Sequence, residues 1–265
     1  MKGKILRENR GISQWYRKKL NSITKTFTKV CISRLINLYK RDKNQVSFAQ
    51  DEDITFGFEV IVDFEKQYTG IYEKFAEKTV RTFVNKSDSN ADYMLRKSLE
   101  KMNSDQIKIK KNIKSKELDA TIEAIVSENM SLIKSIPEEF FKKLTTAMTQ
   151  AVQNGESLTQ FKKQLMKIKG MTERRASMIA QDQSNKAFNA IARRKAQACG
   201  VKQFEWIHTG IAKNPRPYHK NVLNHKIFDF DEPPIIDPNT KIRGYPAQLI
   251  NCRCMMRPVV SFKHK

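Results

Sequence analysis

Two thiols stand one residue apart in Asn251-Cys252-Arg253-Cys254, and a histidine precedes them in Arg216-Pro-Tyr-His219. Thiolate and imidazole are the ligands Zn²⁺ prefers, and structural zinc sites are mostly four-coordinate. A Cys-x-Cys spacing can present both sulfurs at one turn, with His219, and in a wider set His225, returning from the preceding loop. The same residues admit another chemistry. Arg216, His219, Asn251 and Arg253 supply donors, acceptors and a planar guanidinium fork, enough to lock two distant loops together around small, buried Cys252 and Cys254. We take this structural clasp, Arg216, His219, Asn251, Cys252, Arg253 and Cys254, as the first expectation and no cofactor as its corollary. A structural zinc on His219, Cys252 and Cys254 is the alternative.

Catalysis needs a nucleophile, base and stabiliser in mutual reach. His219 with Asn224 and His225 has the residue types of a metal-dependent nuclease centre. Its spacing fits no nuclease motif, and no Walker loop or His-Glu-x-x-His element occurs. No catalytic residue is therefore expected; the alternative is a metal-dependent nucleic-acid enzyme using the C-terminal His/Cys lobe.

A second constellation is electrostatic. The 265-residue chain carries a net charge of +22 with a pI near 9.8, more than solubility requires, so a polyanion such as nucleic acid is the simplest partner. Residues 1–45 hold 13 lysines and arginines against Glu8 and Asp42, net +11. Trp15 and Tyr16 beside Arg17, Lys18 and Lys19 pair aromatic faces that can stack on exposed bases with cations that neutralise phosphate. Arg10, Lys25 and Lys29 extend this set. Arg174, Arg175, Lys186, Arg193, Arg194 and Lys195 form a further basic group, of which Arg193 and Arg194 join the expected DNA contacts.

These residues need elements to position them. In residues 1–45, Trp15, Tyr16, Leu20, Ile23, Phe27, Val30, Leu35, Leu38 and Tyr39 recur at three- and four-residue steps, which predicts a basic amphipathic helical arm able to lie on DNA, a membrane surface or a partner helix. Polar, acidic residues 46–56 read as a linker. Helical periodicity returns over 57–85, Lys86 to Asp92 reads as a loop, and Lys108 to Lys116 as a connection. Ser135-Ile-Pro137 predicts a helix start, with the helix running from about 136 to 153 and ending at Asn154-Gly155. Ser157-Leu-Thr-Gln160 is a capping box for a short helix ending near Gly170, and Thr172 caps a long one closed by Gly200. Beyond Gly200, Phe204, Trp206 and His208 alternate with Gln203, Glu205 and Ile207, predicting a strand; further extended runs at 226–230 and 254–260 flank a Pro-rich stretch, 233–246.

The fold expected is thus α+β, mainly α: a basic arm (1–45), a helical N-terminal part with linkers (46–119), and a domain over 120–265 made of helices (120–199) and a small strand-and-loop lobe (200–265). No run approaches a membrane span and no secretory signal is apparent, so a cytosolic product is expected. Cys31, Cys199, Cys252 and Cys254 are too few and scattered for a disulfide scaffold.

The order of several stretches carries a resemblance: Glu128 to Pro137, Val152 to Leu158, Arg175 to Asn189, Phe204-Glu-Trp206, Arg216-Pro-Tyr-His219, Leu223 to Phe228, Asp231-Glu-Pro-Pro234 and Asn251-Cys-Arg-Cys254. Over roughly residues 120–260 the chain resembles the head-morphogenesis domain of Mu F-like minor capsid proteins of tailed phages. The resemblance implies a minor head protein in the virion, on the inner side near the portal, assembled in the host cytoplasm, with portal and capsid proteins and double-stranded DNA, bound non-specifically, as partners. It further implies a role in head morphogenesis and DNA packaging or delivery, with few copies per head; an oligomeric or multi-copy state in the virion is expected, and transient membrane contact during delivery is a separate expectation from the arm.

Overall fold

The structure, a computed structural model, describes residues 1–41, 51–100, 102, 113–211 and 214–260. Four long helices come first: α1 (Arg10–Arg41), α2 (Asp51–Glu100), α3 (Lys116–Gln153) and α4 (Leu158–Ala198). Five short strands follow: β1 (Gln203–Ile207), β2 (Ile227–Asp229), β3 (Ile235–Asp237), β4 (Ile242–Arg243) and β5 (Met255–Val259), with a short wide-helical turn, His219–Leu223, between β1 and β2. The α+β, mainly α expectation holds, and the change of period after Gly200 marks where helices give way to strands.

The chain divides into two compact units, each built from separated segments: residues 1–14, 81–127 and 181–265 in one, residues 15–80 and 128–180 in the other. None of the four boundaries, 14/15, 80/81, 127/128 and 180/181, falls at the expected 45/46 or 119/120 divisions.

The second unit is all helical. Its centre is Phe27, whose ring meets Tyr68 (5.5 Å), Tyr72 (5.2 Å), Phe140 (4.8 Å) and Phe141 (6.2 Å) in tilted and edge-on geometries that suit the aromatic quadrupole. Tyr16, Leu20, Cys31 and Leu35 are buried on the same helix. Residues 15–35 are therefore not a separate arm: the amphipathic pattern was read correctly, but its apolar face is covered by the chain's own helices.

Three expected breaks are corrected by continuous helices. Helix α3 runs through Pro137, and Ser135 Oγ donates to the Leu132 carbonyl (2.8 Å) rather than capping. Proline inside a helix costs about 3 kcal/mol, whereas Ile133, Ile136, Phe140 and Phe141, all buried, each contribute roughly 1.5–3 kcal/mol. Helix α4 likewise passes Gly170 and Thr172, whose Oγ1 donates to the Ile168 carbonyl (2.9 Å). In the first unit, α2 crosses the expected 86–92 loop: Ser89 Oγ donates to Asn85 O (3.0 Å), and Ser87, Ala91 and Leu95 keep one face buried.

The ends behave as the sequence dictates. Ser157 and Gln160 form the reciprocal capping box, Gly155 and Gly200 take positive φ at helix ends, and Ser115 Oγ caps α3 by accepting from Leu118 N (3.1 Å). Helix α2 begins at Asp51, inside the expected 46–56 linker; residues 46–50 of that linker and 108–112 of the next lie outside the described residues.

The first unit holds the strand lobe. Sheet order is β2-β1-β5, all antiparallel, pairing Phe204 with Phe228 and Pro258, and Trp206 with Met256. Residues 2–6 run along the other edge of β5, with Gly3 N donating to Pro258 O and Leu6 N to Met256 O (both 2.9 Å). A β-carbon at Gly3 would sit 2.2 Å from Ser98 Oγ, so this approach to α2 requires glycine. The Pro-rich 233–246 stretch, expected only as a separator, contains the β3–β4 pair.

Candidate metal centre and polar clasp

β1, the His219 turn and the loop before β5 converge on one buried point. His219 is 2% exposed, Cys252 4% and Cys254 2%. His219 Nδ1 lies 3.5 Å from Cys252 Sγ and 3.7 Å from Cys254 Sγ, while its Nε2 lies 2.8 Å from the Ile236 carbonyl on β3. Trp206 of β1 packs edge-on to the His219 ring at 5.1 Å. The hydrogen bond between the two thiols, helped by His219, favours ionisation of Cys252 against the opposing effect of burial, and the same bond together with burial pushes Cys254 up.

Helix α4 holds the cysteine loop through a polar, buried run, Asp182-Gln-Ser-Asn185. Asn185 Nδ2 donates to the Cys252 carbonyl at 2.7 Å, and the Asn251 amide donates to Asp182 Oδ1. Asn251 sits at φ +58°, a left-handed conformation that asparagine tolerates better than most residues. Thr209 Oγ1 donates to the Arg253 carbonyl (3.0 Å), and Arg216 Nη2 donates to the Ile250 carbonyl (3.0 Å).

The structure therefore brings His219, Cys252 and Cys254 together by their side chains. Arg216 reaches the same loop through a carbonyl, and Asn251 and Arg253 take part through their backbone, where side-chain donors and acceptors were expected. Asp182, Asn185 and Thr209 were missed as anchors. The available signal was the polar residues interrupting the alanine stripe of α4.

His225 is not in the sulfur cluster. Its Nδ1 lies 3.1 Å from Glu205, a 2% exposed carboxylate that also meets Lys2 (3.2 Å) and Arg257 (3.1 Å). Asn224 Oδ1 accepts from the His208 amide (2.8 Å). His219, Asn224 and His225 thus face three different partners, which corrects the nuclease constellation considered from sequence.

The expected DNA contacts separate into two groups. Tyr16 is fully buried with its hydroxyl donating to Asn129 Oδ1 (2.9 Å), so it does not offer a face to bases. Trp15 is half-buried and stacked beside Tyr16. Arg193 lies over the Tyr245 ring at 3.8 Å, Arg194 bonds Thr121 and Gln197, and Lys195 is buried against Asp88 and Asp92. Arg175 pairs with Glu139 and Lys186 with Asp182. Arg10, Arg17, Lys18, Lys19, Lys25 and Lys29 are exposed on α1.

Comparison with known proteins bears on residues 142–257, which match the family described as phage Mu protein F like protein. His219, Cys252 and Cys254 fall inside that segment; the exposed cations of α1 fall outside it. A protein of Haemophilus influenzae (strain KW20/Rd), described as uncharacterized, is 26% identical over 255 residues, covering 93% of this chain and 53% of its own length. The chain spans about half the length of the curated relative it matches. No solved structure matches. From α3 to β5, residues 142–257 are thus similar to the phage Mu protein F like family, as the order of motifs in the sequence implied.

Proposed function

We propose that this chain is a minor head protein of a tailed phage, acting in head morphogenesis and in DNA packaging or delivery beside the portal and capsid proteins, in several copies within the virion. The family match over 142–257 supports the morphogenesis role. The observation that carries the DNA part is the outer face of α1. Lys18, Lys25 and Lys29 are spaced seven and four apart, so at 100° per residue they fall within about 20° of one line, a stripe roughly 16 Å long at 1.5 Å per residue. All three are exposed, while Tyr16, Leu20, Phe27 and Leu35 are buried. A row of point charges with no base-reading partner suits the phosphate backbone of double-stranded DNA and gives affinity without sequence preference.

The test is duplex binding by the full chain across a salt series, comparing wild type with Lys18→Ala/Lys25→Ala/Lys29→Ala. Each lost phosphate contact lowers the salt slope by about 0.9, so the triple variant is expected to lose about 2.7. An unchanged slope with intact affinity refutes the stripe as the DNA contact. Co-purification of the chain with the portal protein from assembling heads tests the portal assignment separately.

A further inference from the structure

The described residues contain one group of three soft-metal donors, His219, Cys252 and Cys254, whose ligand atoms all lie within 4.8 Å of one another and are buried. We infer that they bind a single zinc ion, which ties the turn after β1 to the loop before β5. This inference does not depend on the DNA reading.

Four observations carry it. First, the spacings fit. Ligands at the usual Zn–S distance of about 2.3 Å and Zn–N distance of about 2.1 Å, arranged tetrahedrally, stand about 3.6 Å apart. The two observed N–S separations are 3.5 and 3.7 Å.

Second, the tautomer is set. The Ile236 carbonyl, 2.8 Å from His219 Nε2, can only accept, so Nε2 carries the proton and Nδ1 turns its lone pair toward the sulfurs. A carbonyl behind a ligating imidazole is the usual outer-shell partner of zinc-bound histidine. Two thiols converging on one lone pair also exceed what a simple S–H to N hydrogen bond uses.

Third, the buried Trp206 Nε1 is directed at Cys254 without closing a well-formed hydrogen bond. A metal-held thiolate is a stronger acceptor for this N–H than a neutral thiol. Fourth, the cysteine loop is held in place by bonds that leave the sulfurs free to turn inward: Asn185 to the Cys252 carbonyl, Asp182 from the Asn251 amide, and Thr209 to the Arg253 carbonyl.

With three protein donors in the group, the fourth position is left to a small donor such as water. In the loaded site both cysteines are thiolates, any proton they still carry having gone to solvent, while His219 binds as the neutral ring.

The experiment uses the full chain, reduced and stripped of metal with a chelator, then titrated with Zn²⁺ or with Co²⁺ as a spectroscopic stand-in. One equivalent of tightly bound ion is expected, with a thiolate-to-cobalt charge-transfer band and the intense visible bands of tetrahedral cobalt. Cys252→Ser/Cys254→Ser removes the charge-transfer band, Cys31→Ser/Cys199→Ser keeps it, and Trp206→Phe weakens binding about tenfold. Because serine variants can fail to fold, alkylation of the wild-type chain in mild urea is followed in parallel by mass spectrometry. Zinc is expected to slow modification of Cys252 and Cys254 about tenfold or more relative to Cys31, which lies in the other unit. Absence of a stoichiometric ion, a cobalt band that survives loss of both Cys252 and Cys254, or equal alkylation with and without zinc each overturns the site.

Discussion

Replacing Asn185 by alanine tests whether α4 holds the cysteine loop. Asn185 is 8% exposed, and its amide donates to the carbonyl of buried Cys252 at 2.7 Å. Truncation removes one neutral hydrogen bond, a net loss of about 1 kcal/mol, and leaves a buried carbonyl without its donor, which raises the cost to about 2 kcal/mol. The chain has two compact units, so one global melting midpoint is a poor measure; local opening is better. A loss of about 2 kcal/mol corresponds to roughly a 30-fold faster amide exchange wherever the opening follows that bond. Hydrogen exchange read by mass spectrometry on peptides spanning 249–257 is expected to show it, with peptides spanning 15–35 unchanged. Exchange at 249–257 within about threefold of wild type would refute the anchor, as would an equal acceleration in both regions. Combining Asn185→Ala with Asp182→Asn, which weakens the acceptor of the Asn251 amide, is expected to be non-additive because both bonds hold one loop.

Gly170→Ala is expected to stabilise the chain by about 0.5–1 kcal/mol in urea unfolding, since Gly170 lies inside α4 and the nearest outside atom to a new β-carbon is an arginine side chain 4.0 Å away; a loss of stability would indicate a helix end there. Tyr16→Phe is expected to cost about 1–2 kcal/mol by removing the bond to buried Asn129, read as faster hydrogen exchange in peptides spanning 15–35, and unchanged exchange there would show that the bond contributes nothing. Burial opposes ionisation of Glu205, but hydrogen bonds from His225 and Lys2 and the charge of Arg257 outweigh it and hold its pKa below the ordinary value. Its folded-state pKa being depressed, its stabilisation is present above the unfolded carboxylate pKa and is lost as pH falls through the folded one. Glu205→Gln should therefore flatten the acid limb of stability against pH, and an unaltered acid limb would exclude the cluster as its source.

The local signals in the sequence were good at helix ends where backbone chemistry alone decides. Ser157 with Gln160, Gly155 and Gly200 behave as their residue types require, since a capping hydroxyl or a positive φ needs no distant partner. The same signals misled at Ser135-Ile-Pro137, at Gly170-Met-Thr172 and across 86–92. There each break signal costs only a few kcal/mol, and flanking apolar residues buried in a core that the sequence does not display outweigh it. The α1 pattern was legible as amphipathic, but nothing local says whether the apolar face meets a partner or the chain's own Phe140 and Tyr72.

By itself, then, the sequence determined the class of the fold, the switch from helix to strand after Gly200, the order of motifs shared with the phage Mu protein F like family over 142–257, and the residue types of the His219, Cys252 and Cys254 group. Periodicity, capping and residue chemistry are properties of neighbours along the chain. The tertiary structure decided which cations stay exposed, that Tyr16 belongs to the core, that His225 turns to Glu205, and that Asp182 and Asn185 hold the cysteine loop. Those outcomes rest on contacts between residues far apart in sequence, where burial and hydrogen-bond satisfaction, not local preference, set the lowest free energy.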